Sequence, residues 1–220
     1  TACQGNTLKT WKIVSTDMDQ VELAMRSEER SPIDADVELW HTPSFKPIQF
    51  HVYSECGLTR PVNVVLDAPE HPKTVAVYNQ GPLEFPFEAA VAKADRGIMD
   101  GPLAQAVPER VQGGRITSYT FGGNVGSVQV LLKAEQNNMN AKIEITQGPN
   151  QVKQSIEVYA FAANKYPFYV VLQTPGFTET SLRIINQDTV EYPFDAWVVP
   201  DESGPAVDTG GPVMGGFMAY

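Results

Sequence analysis

Several features are missing from this 220-residue sequence, and each absence closes off a class of function. No apolar run approaches the about 20 residues that a membrane-spanning helix needs, and no signal-peptide pattern opens the chain. Membrane insertion is therefore not expected. Basic residues are scarce: 16 Lys and Arg stand against 26 Asp and Glu, for a formal net charge of -10. Phosphate backbones and anionic lipid surfaces would repel such a chain, so nucleic-acid partners are not expected. There are two cysteines, Cys3 and Cys56. They could form one bridge, but Cys56 falls opposite Ala162 in the repeat described below, as a small packing residue would. Free thiols and a reducing compartment fit better. The sequence also lacks any Asn-x-Ser/Thr glycosylation acceptor, any dinucleotide fingerprint and any closely spaced pair of cysteines.

What the sequence does have, it has twice. Residues 79–91 read NQGPLEFPFEAAV and residues 186–198 read NQDTVEYPFDAWV. The match extends backwards: RPVNVVLDAP (60–69) meets YPFYVVLQTP (166–175), Val52-Tyr53 meets Val158-Tyr159, VELWHTP (37–43) meets IEITQGP (143–149), and VELAMRSE (21–28) falls on VQVLLKAE (128–135). The offset is 106 from Val64 to Val170 and 107 from Asn79 to Asn186, so about one residue has been gained or lost in a loop. Self-similarity at a fixed spacing marks an internal repeat. Nearly the whole chain is one unit written twice.

Within each copy the apolar residues alternate with the period of half-buried strands. Val21, Leu23 and Met25 are answered by Val128, Val130 and Leu132; Val62, Val64 and Leu66 by Phe168, Val170 and Leu172; Val75 and Val77 by Leu182 and Ile184. The last strand takes Phe85, Phe87, Ala89 and Val91 in one copy and Tyr192, Phe194, Ala196 and Val198 in the other. All these residues are expected to point inward, with Phe87, Phe194, Val64, Val170, Leu66 and Leu172 as matching core positions. About seven short strands per copy predict an all-β protein of two tandem, internally duplicated antiparallel β-sandwich-like domains in a pseudo-two-fold relation. The predicted boundaries are 8–93 for the first domain, 94–114 for a linker, 115–200 for the second domain and 201–220 for a C-terminal tail. Asn79-Gln80 and Asn186-Gln187 sit between strands, where Asn serves as a turn residue.

The second copy acts as a control on candidate chemistry. His41, His51 and His71 fall opposite Gln147, Glu157 and Phe177, so no histidine is doubled. Asp17, Asp19, Asp34 and Asp36 could bind a hard cation through oxygen, yet their counterparts are Asn124, Gly126, Asn140 and Lys142. Glu38 and Glu144 recur, as do Glu84 and Glu191. Paired carboxylates can act as acid and base, but on exposed strand faces they usually serve solubility. GGNVG (122–126) has neither the lysine nor the helix of a phosphate cradle. The reading is of a protein with no catalytic, cofactor-binding or metal-binding residues, and not an enzyme.

The tail closes with PVMGGFMAY, and its DTGGPVM (208–214) echoes the linker's DGPL (100–103). Val213, Met214, Phe217, Met218 and Tyr220 put apolar side chains on a glycine-rich backbone, the composition of a segment docked on a surface, either its own second domain or a neighbouring copy. The doubled Asn-Gln-x-x-x-Glu-aromatic-Pro-Phe-acidic-Ala-x-Val strand, the doubled Val-Tyr and Val-Val-Leu strands and the GGFMAY ending together resemble the diatom pyrenoid shell family, over roughly residues 8–220. The resemblance implies a structural protein that assembles with itself into a sheet-like lattice around the Rubisco-filled pyrenoid of a diatom chloroplast. It further implies a stromal location at the pyrenoid periphery, support of CO2 fixation, Rubisco or other pyrenoid proteins as further partners, and a targeting leader ahead of Thr1. A competing reading is a tandem lectin-like or adhesion-type sandwich that binds carbohydrate or peptide, since sandwich folds host many such functions.

Overall fold

The computed structural model describes residues 1–41, 44–94, 97–99, 101–135, 138–148, 151–174 and 179–201. The first half supplies β1 (Ala2–Cys3), β2 (Leu8–Ile13), β3 (Gln20–Arg26), β4 (Ile33–His41), β5 (Phe45–Ser54), β6 (Val62–Asp67), β7 (Lys73–Asn79) and β8 (Phe87–Lys93). The second supplies β9 (Glu109–Val111), β10 (Ile116–Phe121), β11 (Ser127–Lys133), β12 (Met139–Gln147), β13 (Val152–Ala160), β14 (Phe168–Gln173), β15 (Thr180–Asn186) and β16 (Phe194–Asp201). No α-helix occurs among the described residues. A 3-10 turn at Pro102–Gln105 is the only helical element there.

The strands form two antiparallel sheets of eight. Sheet A runs β1-β8-β3-β6-β14-β11-β16-β9, and sheet B runs β10-β15-β12-β13-β5-β4-β7-β2. Each half gives four strands to each sheet, and each order reads the same from either end once a strand is exchanged for its repeat counterpart. The halves join edge to edge, through β6 with β14 and β5 with β13. In the first join Val64 lies opposite Val170. In the second His51 lies opposite Glu157. Both pairs are 106 positions apart, so each residue faces its own counterpart, the register a two-fold between the halves requires. The core is continuous as well, running as one apolar cluster from Cys3 in the first half to Ala196 in the second. The halves are thus two sides of one sandwich.

Alternation explains most of the burial. Val21, Leu23, Val37, Leu39, Val52, Val64, Leu66, Val75 and Val77, with Val128, Val130, Leu132, Ile156, Val170, Leu172, Leu182 and Ile184, all lie inside. Phe87 and Phe194 are buried at matching places. The inward expectation is corrected at four positions. Phe85 and Tyr192 are exposed, and Val91 and Val198 are only partly covered. Phe85 and Tyr192 precede their strands, in turns closed by Phe85 N–H donating to the Pro82 carbonyl and Tyr192 N–H to the Thr189 carbonyl, each at 3.0 Å. Pro86 and Pro193 follow at once and cannot donate to a ladder, so the period-two register begins only at 87 and 194.

Two more departures involve short or Pro-rich segments. β1 and β9, of two and three residues, were too brief to show alternation, which is why eight strands per half are found where seven were expected. The segment expected as a linker also has structure. Ile98 and Leu103 are buried with Leu131 on the outer face of sheet A, flanked by Val65, Tyr169, Trp197 and Val199. The chain then adds β9 beside β16.

The repeated Asn-Gln stretch is a clamp. Asn79 is fully buried at the end of β7. Its Nδ2 donates to the carbonyls of Cys3 and Phe85, each at 3.0 Å, and its Oδ1 accepts from Gly81 N–H at 2.9 Å. Asn186 repeats the set: Nδ2 donates to the carbonyls of Val111 (3.0 Å) and Tyr192 (2.9 Å), and Oδ1 accepts from Asp188 N–H at 3.0 Å. One side chain thereby fixes both the turn and the short edge strand, whose buried carbonyls would otherwise lack partners. Glycine is needed beside each clamp, because a Cβ at Gly5 would collide with the Pro82 carbonyl and one at Gly113 with that of Thr189.

Candidate assembly surfaces

The polar side chains singled out in the sequence are held by their own neighbours. His41 is buried between Phe45 and Tyr166, with ring centroids 6.3 and 5.9 Å away, and burial pulls its pKa down. His51 sits on the outer face of sheet B, 2.8 Å from Asp36 and 3.6 Å from Asp34. His71 contacts Asp19 at 3.2 Å. Among the described residues no three His, Cys, Asp or Glu side chains converge as a metal would require. Asp17 and Asp19 line an open cleft of about 410 Å³ with Asp67, Lys93 and Lys165, so its charges are mixed in sign. Of the recurring carboxylates, Glu38 and Glu144 are engaged in ion pairs. Glu38 meets Lys46 at 2.7 Å and accepts from Trp40 Nε1 at 2.6 Å. Glu144 meets Lys142 at 3.2 Å and Arg183 at 3.3 Å, and Lys142 also reaches Glu157 at 3.0 Å. Glu84 and Glu191 point into solvent. Residues 122–126 form a turn in which Val125 N–H donates to the Gly122 carbonyl at 3.2 Å. Cys3 is buried, Cys56 is half-buried, and both are free thiols.

The two corners where the halves meet are built differently. At one, His41, Phe45, Phe161 and Tyr166 pack as aromatic rings, Phe45 meeting Phe161 edge-on at 5.5 Å. At the other, the counterparts of His41 and Tyr166 are Gln147 and Arg60. Arg60 Nη2 donates to Gln147 Oε1 at 2.9 Å, and the Arg60 carbonyl accepts from Ser54 Oγ at 2.9 Å.

Surfaces suited to contact with other chains lie on the faces and edges. Sheet B turns a face laced with ion pairs to solvent. Sheet A turns out an apolar strip that Ile98 and Leu103 partly cover. The edges of sheet A are β1 and β9, too short to template another strand. Those of sheet B are β2 and β10, six residues each. The tail positions Val213, Met214, Phe217, Met218 and Tyr220 lie outside the described residues.

Two eight-stranded antiparallel sheets, packed face to face and with charged groups tied in cross-strand pairs, define an all-β sandwich protein. The pattern of the family described as diatom pyrenoid shell protein matches residues 1–200, and the chain belongs to that family. The family is one of structural shell proteins of the pyrenoid, a compartment of the chloroplast. The match ends at residue 200, so the tail counted in the sequence resemblance falls beyond it. No curated protein matches the chain. Among solved structures, the oxalate decarboxylase formate complex of Lactobacillus farciminis shares 9% identity over 83% of this chain and 73% of its own, at a TM-score of 0.19. The D431N VP2 protein of infectious bursal disease virus, from T=1 particles, shares 9% identity over 90% of this chain and 79% of its own, at 0.12. Scores this low bear on neither fold nor function.

Proposed function

We propose that this chain is a building block that associates with copies of itself into a sheet-like lattice, the shell around the Rubisco-containing pyrenoid of a diatom chloroplast. By enclosing that compartment from the stromal side it supports CO2 fixation, and Rubisco or other pyrenoid proteins are its further partners. The observation that carries this reading is the family match over residues 1–200. The architecture supports it. Two like halves, 8–93 and 115–200, arose by duplication of one unit and present similar surfaces in two directions, and contacts between such surfaces can extend without closing into a ring. The residues that lock neighbours are Val213, Met214, Phe217, Met218 and Tyr220, because large rings and flexible thioethers dominate interfaces and fill irregular grooves. The net charge of -10 opposes association, so salt that screens it promotes assembly. No observation favours the carbohydrate- or peptide-binding alternative.

Deleting residues 202–220 tests the tail's part. The truncated chain should keep its far-ultraviolet circular dichroism and nearly its full melting temperature while no longer forming extended sheets in electron micrographs. A truncated chain that assembles normally would remove the tail from the lattice contact. One that fails to fold would place the tail in its own sandwich.

A further inference from the structure

The two long free edges of sheet B occupy equivalent places but carry different side chains. β2 reads LKTWKI and β10 reads ITSYTF. The ladders align them residue by residue: Lys9 lies opposite Val77 and Trp11 opposite Val75, whereas Thr117 lies opposite Ile184 and Tyr119 opposite Leu182. Cross-strand partners share a face of the sheet, and Val75, Val77, Leu182 and Ile184 are core residues. Lys9 is therefore a charge placed on the inner face of an edge strand, with Lys12 beside it on the outer face. Lysines and inward-pointing charges on an edge are the means by which sheets avoid adding a foreign strand. β10 has threonine at both places and no charged residue in its six. It is a β-branched and aromatic run with one row of backbone N–H and C=O groups that no strand among the described residues pairs. At its start Ile116 is 51% exposed, and Val190, in the turn against which Gly113 packs, is 72% exposed.

We propose that β10 is a docking edge for β10 of a second copy, the two strands pairing antiparallel about a two-fold so that two copies of sheet B become one sheet. This rests on the reading of the chain as self-assembling and specifies one of its contacts. Three observations select a second copy's β10 as the occupant. A strand without charge meets itself without like charges facing, which matters for a chain of net charge -10. Docking of β2 instead would bring Lys9 and Lys12 against a strand with no acid of its own, the nearby Glu109 carboxylate already accepting from the Tyr119 hydroxyl at 2.8 Å. Finally, the protein already joins like strands this way, since β5 with β13 and β6 with β14 are counterparts paired antiparallel. The surrounding Ile116 and Val190 add the apolar area that one strand pairing lacks.

The test transplants the protection of one edge to the other in the full chain. Thr117→Lys with Thr120→Lys copies Lys9 and Lys12 onto β10. Sedimentation velocity, at salt concentrations where the wild type associates, should show the dimer weakened at least tenfold while circular dichroism stays unchanged. Lys9→Thr with Lys12→Thr should leave the β10 dimer intact, and so should deletion of residues 202–220. In the wild type, raising the concentration should slow hydrogen exchange of the amides at 116–121 and leave those at 8–13 unaffected, a readout that stands even where the lysine variant misfolds. A folded lysine variant that dimerises like the wild type, or exchange at 116–121 that ignores concentration, overturns the edge assignment alone. A wild type that stays monomeric at every concentration and salt overturns the edge and the shell reading together.

Discussion

At the Asn79 turn and the Asn186 turn the two halves make the same three hydrogen bonds with the same atoms, whereas the two corners between the halves are filled by different chemistry. Edge strands of two and three residues have too few ladder bonds to hold themselves. An amide that bonds the strand, the turn and its own loop at once meets that need, and no other residue type offers two donors and an acceptor so close to the backbone. The corners demand only filled volume. Aromatic rings around His41 fill that volume on one side, and Arg60 with its bond to Gln147 fills it on the other. What the fold requires is written identically in both halves; where the fold is indifferent, the halves differ.

The comparison can be broken most forcefully in the core. Phe87→Ala and Phe194→Ala should each cost about 3–5 kcal/mol in denaturant unfolding, by similar amounts, because the two rings occupy equivalent buried sites. A gap of several kcal/mol between them would mean that the halves are not equivalent inside. Next come the clamps. Asn79→Ala and Asn186→Ala each strand buried carbonyls and should cost about 1–3 kcal/mol, with faster hydrogen exchange in residues 2–3 or 109–111 respectively. Loss of stability without that local signature would refute the clamp.

The corners should instead differ, and by less. Burial lowers the pKa of His41 from its usual 6.5. Between the lowered value and 6.5 the unfolded chain binds the extra proton, so stability is full above the unfolded pKa and falls as the pH drops below it. The slope from one such group is at most about 1.4 kcal/mol per pH unit. His41→Gln, which installs the residue of the other corner, should flatten this part of the pH profile; an unchanged profile would assign it to other groups. Smallest of all, Glu84→Gln and Glu191→Gln should shift stability by under about 0.5 kcal/mol, since both carboxylates are solvated. A larger loss from either would reveal a contact made by that half alone.

The strands from Val21 to Val77, and their counterparts, were legible because a two-sided environment forces alternation. Legibility ended where that force does. Phe85 and Tyr192 continue the alternation in letters, but the prolines at 86 and 193 detach them from the ladder. β1 and β9 owe their places to an asparagine far away in sequence, so nothing local announces them. The edge-to-edge joins depend on β5 and β6 each presenting an edge that fits its own copy, which a pattern along one strand does not display. The linker looked like a Gly- and Pro-rich spacer because its buried apolar residues, Ile98, Leu103 and Val111, are too widely and unevenly spaced to set a period. Of the candidate chemistry, the ion pairs of Glu38 and Glu144 were visible only as recurring acids, since their partners Lys46 and Arg183 come from other strands. The difference between β2 and β10 was present in the letters all along, but its meaning depends on both being edges.

The central claim is that copies of this chain build a sheet. Negative-stain electron microscopy of the purified full chain, across a salt series, tests it most directly. The account predicts flat, periodic arrays that grow as salt screens the repulsion, with a repeat set by paired copies of the sandwich. A uniform field of particles the size of one chain at every salt concentration would contradict it.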